Sequence, residues 1–189
     1  MLEIIQNMDS SLLLWIQEHL RCALLNGPMV FISTLGNAGL FWIALGLVLA
    51  IIPKTRKYGI LALVSLLVCF LFNNVLLKNL VARPRPYTQL PQLVMLMKCP
   101  ADHSFPSGHA CSSFAVAGSL LWSMDRKWNF IRIPALVLAI LIAFSRLYVG
   151  VHYPTDVLVG TCVGLAGSFF LYKLCTNPYD QLEQRLKNR

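Results

Sequence analysis

Long apolar runs, nearly free of Asp, Glu, Lys and Arg, alternate with short polar segments along most of this chain. A helix rises about 1.5 Å per residue, so about 20 apolar residues cross the hydrocarbon core of a bilayer. Runs of that kind predict membrane helices over residues 29–52, 58–81, 106–124, 130–147 and 155–172. Ahead of them, residues 10–25 have a helical pattern with Asp9 or Ser10 as N-cap, but Gln17, Glu18, His19 and Arg21 interrupt the apolar positions. That pattern predicts either a short sixth span or an amphipathic helix lying in the interface. The expected fold is therefore all-α, an integral-membrane bundle of five or six helices. It forms one domain over residues 1–189, with 1–26 as the N-terminal span or interfacial helix and 177–189 as a polar cytoplasmic tail in water.

The connections are short except for residues 82–105. A polar stretch of that length between spans predicts a lid or the wall of a site rather than a linker. No internal repeat or low-complexity tract is visible, and the first 25 residues lack the basic start and small-residue cleavage site of a removable leader.

Composition agrees with the pattern: 57% of the residues are hydrophobic and 13% charged, with a mean hydropathy of +0.63. This is too apolar for a soluble globule. The net charge of +8 is spread between apolar runs instead of forming a basic stripe, so it points to membrane topology and away from a nucleic-acid partner. Nor does anything in the sequence require an obligate protein partner. The six cysteines, at 22, 69, 99, 111, 162 and 175, have no metal-site spacing and read as small core residues.

Alternation of the spans puts Lys78, Arg83, Arg85, Lys98 and Arg146 at one end of the bundle. Lys54, Arg56, Lys57, Arg126, Lys127, Arg132, Lys173 and the basic tail lie at the other. The more basic end is expected in the cytoplasm, so the first end faces outward. The outward end also collects costly ionisable groups, which within a membrane are functional candidates by default. Lys78 and Arg85 offer two fixed cations, which suit a phosphate dianion. Pro106-Ser107-Gly108-His109 opens a helix: its free N–H groups make an anion cradle, Gly108 lets the backbone come close, Ser107 adds a hydroxyl, and His109 can protonate a leaving oxygen. Arg146 closes a span, and Asp156 follows His152 by four residues, where a carboxylate can fix the imidazole tautomer and raise its nucleophilicity. His19 and His103 fall outside these clusters and are assigned no role. Arg83 is read either as a solvated loop charge or as a contact to a second phosphate or a lipid head group.

Together these residues resemble the type-2 phosphatidic acid phosphatase superfamily, which also includes soluble bacterial acid phosphatases and vanadium haloperoxidases. Its pattern of K-x6-R-P, P-S-G-H and S-R-x5-H-x3-D is matched at every specified position by Lys78 to Pro86, Pro106 to His109 and Ser145 to Asp156. The resemblance implies a multi-pass lipid phosphatase of a bacterial plasma membrane, acting without metal or other cofactor through a phosphohistidine. It assigns His152 as nucleophile, Asp156 as its orienting group and His109 as general acid. Lys78, Arg85, Ser107, Gly108 and Arg146 would hold the phosphoryl oxygens. Undecaprenyl diphosphate, phosphatidylglycerol phosphate and phosphatidic acid are the candidate substrates. The competing readings are a non-catalytic lipid-binding or transport protein and a haloperoxidase-like vanadate enzyme.

Overall fold

The computed structural model describes residues 2–98 and 100–187, the side chains of residues 2 and 176–187 excepted. It is all-helical in these residues, as the apolar periodicity predicts. Helix α1 covers Leu2–His19, α2 Ala23–Leu35, α3 Leu40–Ile51, α4 Arg56–Phe70, α5 Lys78–Val81 and α6 Pro86–Gln89. Helices α7 (Gly108–Ser123), α8 (Asn129–Tyr148) and α9 (Pro154–Lys187) complete the chain. Among the described residues, three stretches are long and apolar enough to cross a membrane: Arg56–Gln89, Arg126–Tyr148 and Pro154–Cys175. A fourth is made by α2 and α3, which the sequence pattern reads as one continuous span but which bend by 49° at the Gly36–Gly39 break.

The remaining expected span, α7, has only 16 residues, about 24 Å of helix. It is the centre of the bundle instead of a lipid-facing element: every residue from Ala110 to Leu120 is buried, with α3, α4, α8 and α9 packed around it. A helix sheathed by protein need not match the bilayer's thickness. Non-helical backbone at membrane depth is tolerated where protein encloses it, and Ser104, Pro106 and Ser107 ahead of α7 are buried. Close packing, the force that joins helices in lipid, depends here on small residues. A Cβ added at Gly160 or Gly164 of α9 would lie 2.5 Å from the carbonyl oxygens of Ser107 and Cys111, so that seam accepts nothing larger. Outward, Phe31, Leu40, Ile51, Leu67, Phe130, Leu158 and Phe170 are each more than half exposed, an apolar jacket suited to lipid.

Helix α1 departs from its expected limits. It starts at Leu2 and stops at His19, and Asp9 lies in its middle, almost wholly buried, instead of capping it. Asp9 and Gln17 of this helix bond to one end of the bundle, Asp9 to Thr155 N (3.0 Å) and Gln17 to Val94 N (2.7 Å) and Gln92 O (3.1 Å), and Arg21 just after it bonds to Val94 O. The outer face carries Ile4, Met8, Leu12 and Trp15. Helix α1 is not among the stretches long and apolar enough to cross a membrane.

Two further expectations change. Of the cysteines, Cys69 and Cys111 are core residues, whereas Cys22, Cys162 and Cys175 are exposed; Cys99 lies outside the described residues. Helix α9 continues through the segment expected as a tail, up to Lys187. The expectation that this tail meets water falls on side chains outside the described ones.

Candidate active site

The long connection is a wall, as its length suggests. After Lys78 the chain turns at Ala82, whose φ of 46° ends α5 in the left-handed region. Pro84 and Pro86 then block further helix until Pro86 opens the single turn of α6. Residues 90–98 and 100–107 run without helix over the end of the bundle. They are tied down by Ser104 N to Arg83 O (2.9 Å), Ser107 N to Asp156 O (2.9 Å) and the Tyr87 hydroxyl to Pro100 O.

Under this wall is a cavity of about 590 Å³ lined by Lys78, Arg85, Gly108, His109, Arg146 and His152, together with Asn37, Asn74, Lys98 and Asp102. Six of the eight sequence-predicted site residues therefore share one space. The other two stand behind it. Ser107 is fully buried, and its hydroxyl caps α7 by accepting from Ala110 N at 3.4 Å instead of facing the cavity. Asp156 is also fully buried, on the far side of His152.

The His152 ring has a defined tautomer. Arg85 Nη1 approaches its Nε2 at 3.3 Å, and a guanidinium can only donate. Nε2 therefore accepts, and the ring proton is on Nδ1, which faces Asp156 Oδ2 at 3.5 Å. The Nε2 lone pair thus faces Arg85, which lines the cavity with His152. His152 sits in the α8–α9 turn, where burial pushes its imidazole below the ordinary value; Asp156 opposes the shift, and Arg85 and Arg146 add to it. That direction favours the neutral ring, the form with a lone pair to give.

Asp156 is held on every side: Ser104 Oγ donates to Oδ2 at 2.5 Å, Tyr153 N to Oδ2 at 2.9 Å, and Arg83 Nη1 to Oδ1 at 2.7 Å. Arg83 also pairs with Asp9 of α1 at 2.7 Å and stacks over Tyr153. It is thus neither a solvated charge nor a head-group contact, because two carboxylates draw it behind the site. The sequence reading missed Asp9 and Ser104 in this network, since neither lies inside a motif.

The cations differ in how they are satisfied. Lys78 and Arg85 both meet Asp102. Arg146 is 2% exposed and forms no ion pair among the described residues. Its Nη1 donates to Ser33 Oγ, and its Nε has no partner. A buried guanidinium without a carboxylate is costly unless an anion joins it. The site is electrostatically built for one.

His109 projects from the first turn of α7, and its Nε2 meets Asn37 Oδ1 at 3.0 Å, so the ring donates there. Asn37 belongs to the α2–α3 break, and the break is what brings it in. Beside it, a Cβ at Gly36 would lie 2.5 Å from His109 Cδ2 and 2.9 Å from Ile142 Cγ2. The Gly36 backbone is ordinary (φ −79°), so Gly36→Ala is purely a steric test. Displacing the ring should lower turnover of a lipid substrate by roughly 10- to 100-fold, a fraction of the full value of a general acid. Measuring kcat beside thermal stability checks this; unchanged kcat would mean that the ring position does not matter.

Other contributors were legible only as polar residues inside apolar runs. Asn73 and Asn74 lie in a π-helical stretch, Leu71–Leu77, that joins α4 to α5. Such widened turns are frequent at functional sites. Asn73 Nδ2 donates to Asn74 Oδ1 at 2.8 Å, and Asn74 lies so close to Gly108 that a Cβ there would be 2.9 Å away. His19 and His103 stay outside the site: His19 stacks on Trp15, and His103 is exposed. A second cavity of about 300 Å³ shares Ala38, Gly39, Phe70 and Ser112 with the first and continues between α3 and α4 along Ile43, Leu63, Leu66 and Leu67. The polar cavity thus opens sideways onto an apolar groove.

Residues 58–179 match the model of the PAP2 superfamily. The chain belongs to that family. It is 37% identical over 166 residues to an undecaprenyl-diphosphatase of Sulfolobus acidocaldarius, covering 87% of this chain and 78% of that protein. Among solved structures, a transmembrane PAP2-type phosphatidylglycerolphosphate phosphatase from Bacillus subtilis superposes with a TM-score of 0.71 at 31% identity, covering 94% of this chain and 87% of that one. LpxE of Aquifex aeolicus gives 0.69 at 30% identity, covering 86% and 93%. The resemblance read from three short motifs therefore extends over the whole bundle, and this PAP2 protein is a multi-pass membrane lipid phosphatase.

Proposed function

We propose that this PAP2 protein, acting as one domain, removes the terminal phosphoryl group of a lipid phosphate or diphosphate through a covalent phosphohistidine. The observation that carries this reading is the buried, unpaired Arg146 in the same cavity as Lys78, Arg85 and the His152 Nε2 lone pair. In the first step Nε2 attacks phosphorus as the bond to the lipid oxygen breaks. The three cations stabilise the charge gathering on the equatorial oxygens, and His109 gives the leaving oxygen a proton. Asp156 keeps the Nδ1 proton in place and stabilises the positive charge that develops on the ring. Water, activated by His109, then breaks the P–N bond and releases phosphate. Gly108 belongs to the phosphoryl cradle through its backbone, and Ser107 serves it as the cap that holds the start of α7.

An isoprenoid diphosphate is the favoured substrate. The cavity is much larger than one phosphoryl group, Lys98 adds a further cation to its wall, and a relative is named for that activity. A glycerophospholipid phosphate is the second reading, supported by the name of the Bacillus subtilis structure. In either case the lipid chain would leave through the apolar groove between α3 and α4. Among the described residues no cluster of His, Cys, Asp and Glu is suited to hold a metal ion, and the proposed steps use none. Purified protein in detergent should release inorganic phosphate from a polyprenyl diphosphate faster than from phosphatidylglycerol phosphate or phosphatidic acid. Activity should persist in EDTA and be lost to vanadate. Activity that vanishes with EDTA and returns with Mg²⁺ would reject the mechanism, and no release from any lipid would reject the function.

The uneven distribution of basic residues supports an orientation in which this cavity faces away from the cytoplasm and the C-terminus lies within it. The Bacillus subtilis and Aquifex aeolicus structures support a bacterial plasma membrane. In a variant stripped of native cysteines, Gln89→Cys should react with a membrane-impermeant maleimide added to intact cells. Labelling only after lysis would reverse the orientation.

A further inference from the structure

Asp102 is bonded to both cations that the proposed mechanism needs for phosphate. Its Oδ2 lies 2.5 Å from Lys78 Nζ and its Oδ1 2.6 Å from Arg85 Nη2. One carboxylate oxygen on each cation imitates two oxygens of a phosphoryl group. The burial is asymmetric: the Lys78 and Arg85 side chains are 9% and 4% exposed, but that of Asp102 is 53% exposed. The carboxylate therefore reaches in from the mouth of the cavity. A separate backbone bond, Arg85 Nε to Asp102 O at 2.8 Å, holds the residue in place whether or not its side chain is engaged.

We propose that Asp102 is a specificity-determining charge gate, a tethered carboxylate that excludes singly charged phosphodiester head groups from the site and yields to a dianionic terminal phosphoryl group. The proposal rests on Lys78, Arg85 and Arg146 being the phosphoryl site. A membrane offers this protein a large excess of phosphodiester lipids, each with one charge shared by two free oxygens. Such a group must replace a carboxylate of equal charge that is already bonded to the same cations and kept at high local concentration by its backbone tether. The exchange gains nothing. A terminal phosphoryl group brings a second charge and a third oxygen, and it reaches Arg146, which Asp102 does not touch and whose Nε has no partner. That extra contact is made only by the group to be hydrolysed. Burial alone would raise the Asp102 carboxyl, but the hydrogen bond and charge of Lys78 and the charge of Arg85 outweigh it and hold it well below the usual carboxylate range, so the gate stays charged.

The test compares the full-length protein with Asp102→Asn and Asp102→Glu in mixed micelles, with phosphatidic acid as substrate and phosphatidylglycerol as the phosphodiester competitor. Oleate, anionic without a phosphoryl group, controls for surface charge. Phosphatidylglycerol should inhibit Asp102→Asn on the order of tenfold more strongly than wild type, the scale of a half-exposed charge-assisted bond, by raising KM. Oleate should not, and Asp102→Glu should restore resistance. Equal inhibition of wild type and Asp102→Asn would overturn the gate, as would oleate acting like phosphatidylglycerol. Calorimetric titration with orthovanadate and with a short-chain phosphatidylglycerol separates this inference from the reading beneath it, because it needs no turnover. If wild type hydrolyses no lipid yet Asp102→Asn alone gains phosphodiester binding, the gate stands and the enzymatic reading fails. If wild type is active and Asp102→Asn gains none, the gate fails alone. Should Asp102→Asn not fold, Asp102→Ser is put through the same titration, with the same two outcomes.

Discussion

His152→Ala should form no phosphoenzyme and should lose turnover on the order of 10⁵ to 10⁶, the scale seen when a covalent nucleophile is removed. No other group in the cavity has a lone pair in the right place. Lys78, Arg85 and Arg146 are cations with no lone pair to give, and the His109 ring is held at Asn37. Removing a fully buried ring also leaves a cavity, so His152→Gln, which refills much of the volume, separates folding from chemistry. Rapid-quench detection of acid-labile ³²P is the measurement. A normal amount of phosphoenzyme in either variant would reject the assignment. Asp156→Asn should fall between these variants and wild type. It keeps the nucleophile but offers an amide to a ring proton, to Arg83 and to Ser104, which together need a carboxylate.

His109→Ala should slow phosphoenzyme formation from a lipid phosphate monoester by roughly 10² to 10⁴, the usual worth of a general acid, while slowing its formation from p-nitrophenyl phosphate far less. A nitrophenolate departs without a proton, whereas a lipid alkoxide does not. The phosphoenzyme should still form from the activated substrate but hydrolyse slowly, because the same ring is proposed to activate water in the second step. Equal losses in the rate of phosphoenzyme formation for both leaving groups would remove His109 as the general acid of the first step. The Gly36→Ala variant gives an independent reading, since it moves the ring without removing it.

Both experiments address positions that the amino-acid sequence already marks. Lys78, Arg85, His109, Arg146, His152 and Asp156 stand out because a charge or imidazole in an apolar chain is expensive, so each needs a reason, and their spacing supplies a common one. The apolar runs likewise locate nearly every helix, since lipid requires each crossing backbone to satisfy itself. What the runs do not reveal is which helix faces lipid. Helix α7 is as apolar as its neighbours, yet it is the buried axis, a distinction carried by Gly160 and Gly164 on another helix.

The sequence alone determined the class, the membrane environment and the chemical groups, because hydropathy and motif spacing are local properties. Tertiary structure decided how those groups are used. The Ser107 hydroxyl, expected at the phosphoryl group, caps the start of α7, where packing against α9 also buries it. Arg83, expected as a solvated loop charge or a contact to a phosphate or head group, is the clamp on Asp156, because Asp9, 74 residues away, arrives with a helix whose limits the polar interruptions had obscured. Asn37, Asn74 and Asp102 reached the cavity through a bend, a widened turn and a loop. No periodicity records these irregularities of the backbone, because each is stable only through what it touches.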